Sequence, residues 1–261
     1  MNAPPGYEPS DGGAVLILGE ARSLARELGL DAVARACALP ATRRSPWKEW
    51  ALLERGGERV FLKRWDYDRR AVWLRGALKW NWPAWSGPHE LANLLALAAA
   101  GLRVPRVLAA GERDEGPRRR SFVALFALPG APRAASPPPA RPAERRARTR
   151  AVAGLVRRLH GAGFWHRDLY GENVFWDEAL GPGLIDCERV ERAEGGPRWR
   201  WRVKDLAALQ GSAGGGWSRS DRVRFLREYL DLERLDPDAR RLARAVLRKA
   251  RALATRGAKG P

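Results

Sequence analysis

Residues 166–173 read HRDLYGEN, and the architecture expected for the whole chain follows from this stretch. It places a carboxylate, Asp168, and an amide, Asn173, five positions apart on what must be a short loop, and an apolar run begins directly afterwards at Val174. A carboxylate can orient a hydroxyl group and accept its proton, and an amide oxygen can hold Mg²⁺. The spacing therefore predicts a loop that supplies a proton acceptor and a metal ligand, as phosphoryl transfer to a hydroxyl requires.

A second acid, Asp186, follows the loop after a segment that can fold back and bring it close to Asn173. The segments Val174–Trp176 and Leu184–Ile185 predict a two-stranded hairpin around the turn Glu178–Gly183. Asp186 comes directly after the hairpin, thirteen positions beyond Asn173, so the two oxygen ligands can share one Mg²⁺. Alternatively, Asp186 is a turn residue and Asn173 bonds its own loop backbone.

A lysine and a glutamate lie far upstream. Lys63 emerges from the apolar strand Arg59–Trp65, where kinases hold the lysine that binds the α and β phosphates of ATP. Glu90 lies in the first turn of a helical run and is well placed to pair with Lys63. A solvated lysine, and an acid favoured only by the helix dipole, are the other interpretations. The order of the five groups along strand, helix, loop, loop and strand end favours the functional interpretation.

On these motifs, the chain resembles the Kdo/WaaP lipopolysaccharide kinase family of bacterial enzymes. The resemblance runs from about Trp50 to Leu235, and the segment Trp199–Leu209 is its most specific part. It implies an α+β, bilobal protein-kinase-like fold with a small β-rich N-lobe that has one main helix and a larger helical C-lobe. It also implies ATP and Mg²⁺ as cofactors. The implied acceptor is a sugar hydroxyl of the lipopolysaccharide inner core, Kdo or heptose, or of a related glycolipid.

The residues to which the resemblance gives a role form three groups. The catalytic residue would be Asp168, the nucleotide-binding pair Lys63 and Glu90, and the metal ligands Asn173 and Asp186. The catalytic loop would be supported by His166, Arg167 and Asp205. For Asp205, a helix N-cap is the alternative role.

Two departures from the protein-kinase pattern affect details of this assignment. No Gly-x-Gly-x-x-Gly precedes Lys63, so the cover over the phosphates is expected from a turn near Arg43–Lys48. The metal motif reads Asp-Cys-Glu at Asp186 instead of Asp-Phe-Gly, which keeps the metal ligand and removes the usual phenylalanine.

The charge of the chain is strongly positive, with 48 lysines and arginines against 30 acidic residues and a net charge of +18. This positive charge has two equally good explanations. One is an arginine-rich surface that is simply solvated, and the other is attraction to nucleic acid, anionic lipid head groups or a phosphorylated glycolipid. The stretch Trp73–Trp85 contains four tryptophans and two cations, which suits a membrane interface. Alternatively, these tryptophans cover the core of the small lobe, or they stack on nucleic-acid bases. Because no nucleic-acid-binding signature accompanies the stretch, nucleic acid is not the expected partner.

The two cysteines, Cys37 and Cys187, lie far apart and without neighbouring metal ligands, which predicts a reduced, zinc-free protein. No signal peptide or membrane span is evident near the start of the given sequence. The protein is therefore expected in the cytoplasm, with contact to the inner membrane only as a peripheral protein on its cytoplasmic face.

The expected domain organisation follows the two-lobed fold. Residues 1–12 are expected to be disordered, and residues 13–127 to form the N-lobe with a helical extension at 20–36. Residues 128–146 would be a hinge and a Pro/Arg-rich insertion, 147–256 the C-lobe with the catalytic loop, and 257–261 a basic tail. Two other functions stay open, namely a kinase of a protein or small soluble acceptor, and a catalytically silent kinase-like module that binds anionic surfaces.

Overall fold

A computed structural model describes residues 3–45, 47–71, 73, 86–128, 131–132, 141–194, 198–212 and 217–257. The chain divides into two compact units: the first consists of residues 1–96 and 105–127, and the second of residues 97–104 and 128–261. The second unit thus includes residues 97–104, which were expected in the N-lobe. Helices and strands both contribute, which confirms the α+β class.

The strands, in chain order, are β1 Tyr7–Ser10, β2 Val15–Leu18, β3 Arg43–Arg44, β4 Lys48–Arg55, β5 Glu58–Asp68, β6 Val107–Glu115, β7 Arg118–Phe126, β8 Ala131–Pro132, β9 Phe164–Trp165, β10 Val174–Asp177, β11 Gly181–Leu184 and β12 Glu191–Arg192. The helices are α1 Arg22–Glu27, α2 Val33–Ala38, α3 Gly87–Ala99, α4 Pro142–Gly161, α5 Trp199–Ser212, α6 Arg219–Leu230 and α7 Pro237–Gly257.

A seven-stranded antiparallel sheet in the order β1-β2-β6-β7-β5-β4-β3 forms the first unit. Lys63 lies on β5, between Trp50 of β4 and Val123 of β7. Side chains alternate between the two faces of a strand, so Val60 and Leu62 point to one face and Lys63 to the other. Val60 and Leu62 belong to a buried apolar cluster with residues of α1 and α2. The two short helices therefore cover the sheet face opposite Lys63.

Arg64 connects α2 to the sheet through hydrogen bonds. Its side chain is buried and donates hydrogen bonds to the carbonyl oxygens of Ala36 (3.2 Å), Cys37 (2.9 Å) and Leu39, and to the Glu49 carboxylate (2.7 Å). The last carbonyls of a helix lack intrahelical partners, and a cation there is favoured by the helix dipole. A buried arginine next to Lys63 thus has a structural role that its position in the sequence did not reveal.

The structure corrects two expectations for the N-terminal region. Residues 1–12 were expected to be disordered, but β1 pairs with β2 and the buried Tyr7 donates its hydroxyl hydrogen to Val107 O (2.8 Å). The helix expected over 20–36 is two helices, because Gly29 adopts a left-handed conformation (φ +72°) after α1. Leu30 N then bonds Ala25 O (2.8 Å), a helix-ending pattern that glycine favours.

In the second unit, α4 has an apolar face that the sequence indicates by spacing. Its residues, all buried, are Val152, Leu155, Val156 and Leu159. The helix begins at Pro142, inside the stretch 128–146 that was expected to be a hinge and insertion. Proline is suited to the first turn of a helix, where its missing N–H has no intrahelical partner. Residues 129–130 and 133–140 of that stretch lie outside the described residues.

The starts of α6 and α7 follow the sequence signals for helix caps. Ser218 Oγ accepts from Asp221 N (3.1 Å) while the Asp221 carboxylate accepts from Ser218 N (3.1 Å), so Ser218 caps α6 as part of a capping box. Asp236 accepts from Ala239 N (2.7 Å) at the start of α7. The sequence favours Ser218 or Ser220 as the cap of the first helix and Asp236, followed by Pro237, as the start of the second, and the structure has Ser218 and Asp236 in these places.

The hairpin predicted after the catalytic loop is present, but its second strand spans Gly181–Leu184 and not Leu184–Ile185, so Gly181–Gly183 belong to the strand and not to the turn. Strands β10 and β11 pair antiparallel, with Val174 opposite Leu184, and β8 pairs with the other edge of β10. The tryptophan-rich stretch, in contrast, lies outside the described residues except for Trp73, which is exposed. Within the described ranges, none of the helices combines the length and apolar character needed to cross a bilayer.

Candidate active site

In the first unit, Lys63 and Glu90 form a buried ion pair. Lys63 Nζ lies 2.7 Å from Glu90 Oε1, and both side chains are almost fully inaccessible to solvent. Lys63 comes from β5 and Glu90 from the first turn of α3, as expected from the sequence. Because burying a charge without a partner is strongly unfavourable, each of the two residues requires the other.

Gly87 explains how α3 reaches the sheet closely enough for this pair. Its N–H donates to Ser121 Oγ (2.7 Å), and Ser121 Oγ donates to Gly111 O (2.9 Å). A Cβ atom at position 87 would lie 1.6 Å from Phe122 O, a distance that no side chain can occupy. The start of α3 is therefore in direct backbone contact with β7, and only glycine permits this contact.

We expect Gly87→Ala to weaken the first unit by more than about 2 kcal/mol, since the clash is with backbone and cannot be relieved by a rotamer change. Moving α3 away from β7 would also separate Glu90 from Lys63. Urea unfolding followed by circular dichroism measures the loss. Gly116→Ala is the comparison: Gly116 has φ +61° and open space around it, so its substitution introduces backbone strain without a clash. Equal losses in the two variants would contradict the role of close packing.

In the second unit, the loop 166–170 follows β9 and is held by one buried carboxylate. Asp205 accepts hydrogen bonds from the backbone N–H groups of His166 (2.6 Å) and Arg167 (2.8 Å). Asp205 lies inside α5, so the alternative N-cap role does not apply. Arg167 has a positive φ of 71°, which is uncommon for a residue with a side chain, and the hydrogen bonds to Asp205 hold it there. The buried His166 ring bonds Ile185 O through Nε2 (3.0 Å).

A chain of polar side chains continues from Asp205 into α4 and α6. His160 lies 3.3 Å from Asp205 through Nε2 and 2.8 Å from the Tyr229 hydroxyl through Nδ1, and Arg202 Nε donates to that hydroxyl (2.6 Å). Burial raises the pKa of Tyr229 to about 12, so the phenol stays protonated and can donate to His160. No sequence motif marked Tyr229, and His160 contributes to the family resemblance only through the segment His160–Gly163 that precedes the catalytic loop.

We expect Tyr229→Phe to destabilise the second unit by about 1–3 kcal/mol, because it leaves the buried His160 without one of its two partners. The ring and its contacts stay, so the loss reports the hydroxyl group alone. Thermal unfolding of the variant beside Val223→Ala, a change at an exposed position of the same helix, measures the difference. A stability equal to that of the unmodified protein would contradict the proposed link.

The predicted metal ligands lie at the open end of the β10–β11 hairpin. Ile185 N donates to Asn173 O (3.1 Å), which brings the backbone beside Asp186 next to Asn173. Asn173 Nδ2 donates to Asp168 O (2.9 Å), so the amide oxygen is the atom left for a metal. An amide and a carboxylate oxygen suit Mg²⁺, which commonly keeps several waters and few protein ligands. The residues present therefore fit such an ion. No cluster of three or more His, Cys, Asp or Glu side chains that could bind a metal occurs among the described residues.

Two cations surround Asp168. Arg189 Nη1 donates to both carboxylate oxygens (3.0 and 2.8 Å), and Lys204 Nζ lies 3.9 Å from Oδ1. Burial lowers the pKa of Lys204, Asp168 acts in the opposite direction, and Arg189 lowers it further. Neither cation was predicted as a site residue, although Lys204 lies in the most family-specific segment and Arg189 follows the metal motif closely.

The structure thus distributes the predicted site residues over the two units. Lys63 and Glu90 lie in the first unit, and Asp168, Asn173, Asp186, His166, Arg167 and Asp205 in the second. The turn expected to cover the phosphates connects β3 to β4, where Ser45 N bonds Lys48 O (2.8 Å). Its role in binding phosphate stays a prediction.

The sequence is similar to a known protein family and to a characterised relative. The model of the lipopolysaccharide kinase (Kdo/WaaP) family matches residues 39–229, which include all eight predicted site residues. The chain belongs to this family. It is also 35% identical over 167 residues to the lipopolysaccharide core heptose(I) kinase WaaP of Pseudomonas aeruginosa. The match covers 56% of this chain and 60% of that relative, so the chain spans less than two thirds of the relative's length. The resemblance recognised in the sequence is therefore confirmed at the level of the Kdo/WaaP family.

Proposed function

We propose that the protein is an ATP- and Mg²⁺-dependent kinase that phosphorylates a sugar hydroxyl of the lipopolysaccharide inner core, a Kdo or a heptose. Membership in the Kdo/WaaP family supports this proposal, and the observation that carries it is the loop of Asp168, held by Asp205 and followed by Asn173. The two units would be the small and large lobes of a protein-kinase-like fold. The first contains a strand lysine paired with a helix glutamate, and the second contains the catalytic loop.

Each side chain then has one task. Lys63, fixed by Glu90, would bind the nucleotide phosphates, and Asn173 and Asp186 would hold Mg²⁺, which neutralises phosphate charge when bound. Asp168 would accept a hydrogen bond from the acceptor hydroxyl and direct its lone pair toward the γ-phosphorus. The new bond joins the hydroxyl oxygen to that phosphorus, the bond to the β,γ-bridging oxygen breaks, and ADP leaves with the electron pair. The hydroxyl proton passes to Asp168 and then to solvent.

The location of the enzyme follows from its substrates. ATP is available on the cytoplasmic side of the inner membrane, so we place the protein in the cytoplasm, in peripheral contact with the membrane that carries the glycolipid. The net charge of +18 supports this contact because cytoplasmic leaflets attract basic proteins.

Mass spectrometry of the lipopolysaccharide core tests the proposal. Core glycolipid from cells that produce the protein should carry one phosphoryl group more than glycolipid from cells that lack it. Production of Asp168→Asn in the deficient cells should not restore that group. Identical glycolipids in the presence and absence of the protein, together with phosphorylation of a soluble sugar or a protein, would favour the alternative acceptors.

A further inference from the structure

The surroundings of Asp168 contain more positive charge than Asp168 can balance. Arg189 and Lys204 both lie within 4.0 Å of its carboxylate. The pairs Arg189–Asp168 and Lys204–Asp168 are the ion pairs that these two cations form in the described part of the chain. One carboxylate thus faces two cations, and all three side chains are at least two-thirds buried.

Two of the acids near the catalytic loop are engaged elsewhere. Asp205 is fully buried and uses both oxygens for the backbone of His166 and Arg167. Glu191 pairs with the side chain of Arg167. Neither acid therefore balances the surplus charge beside Asp168. Partly buried cations without a matching anion are unfavourable, so the site is suited to a further negative group.

Arg189 has the donors to bind such a group without leaving Asp168. A guanidinium carries five N–H donors in a planar fork, and here Nη1 alone serves the carboxylate. Nη2 and Nε can make a second, paired contact to a carboxylate or phosphate, the geometry for which arginine is best suited. Lys204, on the other side of Asp168, adds a flexible point charge.

From this geometry, and relying on the proposed function, we propose that Arg189 and Lys204 form an anion subsite that binds a carboxylate or phosphate group of the acceptor beside the hydroxyl to be phosphorylated. Arg189 bridges that group and Asp168, which fixes the hydroxyl against the carboxylate. The acceptor is therefore an acidic sugar, or a sugar next to one. In this role Arg189 and Lys204 position the acceptor, and they determine which acceptors are used.

The test measures binding separately from turnover. Core glycolipid from kinase-deficient cells is used in three forms: unmodified, with its carboxylates chemically reduced to alcohols, and with its phosphates removed. Binding of each form to the full chain with Mg-ADP is followed by titration calorimetry in detergent. We expect one of the two neutralised forms to bind about 10–100-fold more weakly than the unmodified form, the factor for losing a charge-assisted contact. The form that loses affinity identifies the anionic group as carboxylate or phosphate.

Variants assign the effect to the two cations. Arg189→Gln and Lys204→Met should bind the unmodified and the neutralised glycolipids equally weakly. Arg189→Lys should keep only part of the preference for the unmodified glycolipid over the neutralised one. Arg240→Gln, which removes one exposed arginine from α7, is the matched control and should keep the full preference. The stabilisation by Mg-ATP relative to Mg-ADP should not change in Arg189→Gln.

Three results would overturn the inference. In the first, the unmodified protein binds all three glycolipids equally. In the second, Arg189→Gln keeps the preference. In the third, Arg189→Gln loses the difference between Mg-ATP and Mg-ADP, which would assign the cations to the γ-phosphate. Failure of the proposed function looks different, because the protein would then bind the acidic glycolipid with the expected preference but transfer no phosphoryl group to it.

Discussion

Asp168→Asn should lower turnover by about 10²–10⁴-fold while leaving the binding of Mg-ATP almost unchanged. Asparagine keeps the shape of the side chain and an oxygen for Arg189, so the loop should stay in place. What is lost is the ability to accept the proton of the acceptor hydroxyl. Initial rates with Mg-ATP and core glycolipid measure the first effect, and thermal unfolding with and without Mg-ATP measures the second.

Asp186→Asn is the matched comparison because it also replaces one carboxylate by an amide in the same unit. It should lose both turnover and most of the stabilisation by Mg-ATP, since a metal ligand is weakened. The two variants therefore separate proton acceptance from metal binding. Asp168→Asn with normal turnover would remove Asp168 from the chemistry, and Asp186→Asn with full stabilisation by Mg-ATP would remove Asp186 from the metal site.

Glu90→Ala should destabilise the first unit by about 3–5 kcal/mol, because it leaves Lys63 charged and buried without its carboxylate. Lys63→Met should have a comparable effect, as it removes the cation that pairs with the buried Glu90 carboxylate. The double variant Lys63→Met with Glu90→Leu replaces both charges by apolar groups of similar size, and should recover most of the stability. Its phosphotransferase activity should stay absent, since no cation is left to bind the nucleotide phosphates.

Urea unfolding of the three variants gives these values, and a surface pair supplies the control. Arg55 and Glu27 form an exposed ion pair in the same unit, so Glu27→Ala should cost less than about 1 kcal/mol. If the double variant is as unstable as the single ones, the Lys63 site depends on more than charge balance. If it is stable and active, Lys63 does not bind the nucleotide.

Several features of this protein could be predicted because they depend on neighbouring residues. The Ser218 cap, the Asp236 cap and the β10–β11 hairpin are decided within a few positions of the chain. The Lys63–Glu90 pair was predicted for a different reason: the resemblance to kinases gave each residue a partner that spacing alone could not.

The two wrong predictions for the N-terminal region, a single helix over 20–36 and disorder over 1–12, have physical causes. The break at Gly29 was signalled locally by a glycine that can take a left-handed conformation, but the surrounding Ala, Leu and Arg favour a continuous helix. Strand β1 was missed because its short sequence has little strand character by itself. It is ordered by its partner β2 and by the bond from Tyr7 to Val107, one hundred positions away.

By itself, the sequence determined which groups can do chemistry, and in what order they occur on strand, helix and loop, because residue type and local spacing fix these properties. Only the tertiary structure decided what surrounds Asp168 and what holds its loop. Arg189 contacts Asp168 from 21 positions away and Lys204 from 36 positions away. Asp205 holds Arg167 of the loop from 38 positions away, and Tyr229 supports Asp205 through His160. Such contacts depend on how α4, α5 and α6 pack, and this packing is the sum of many apolar contacts that leave no motif in the chain.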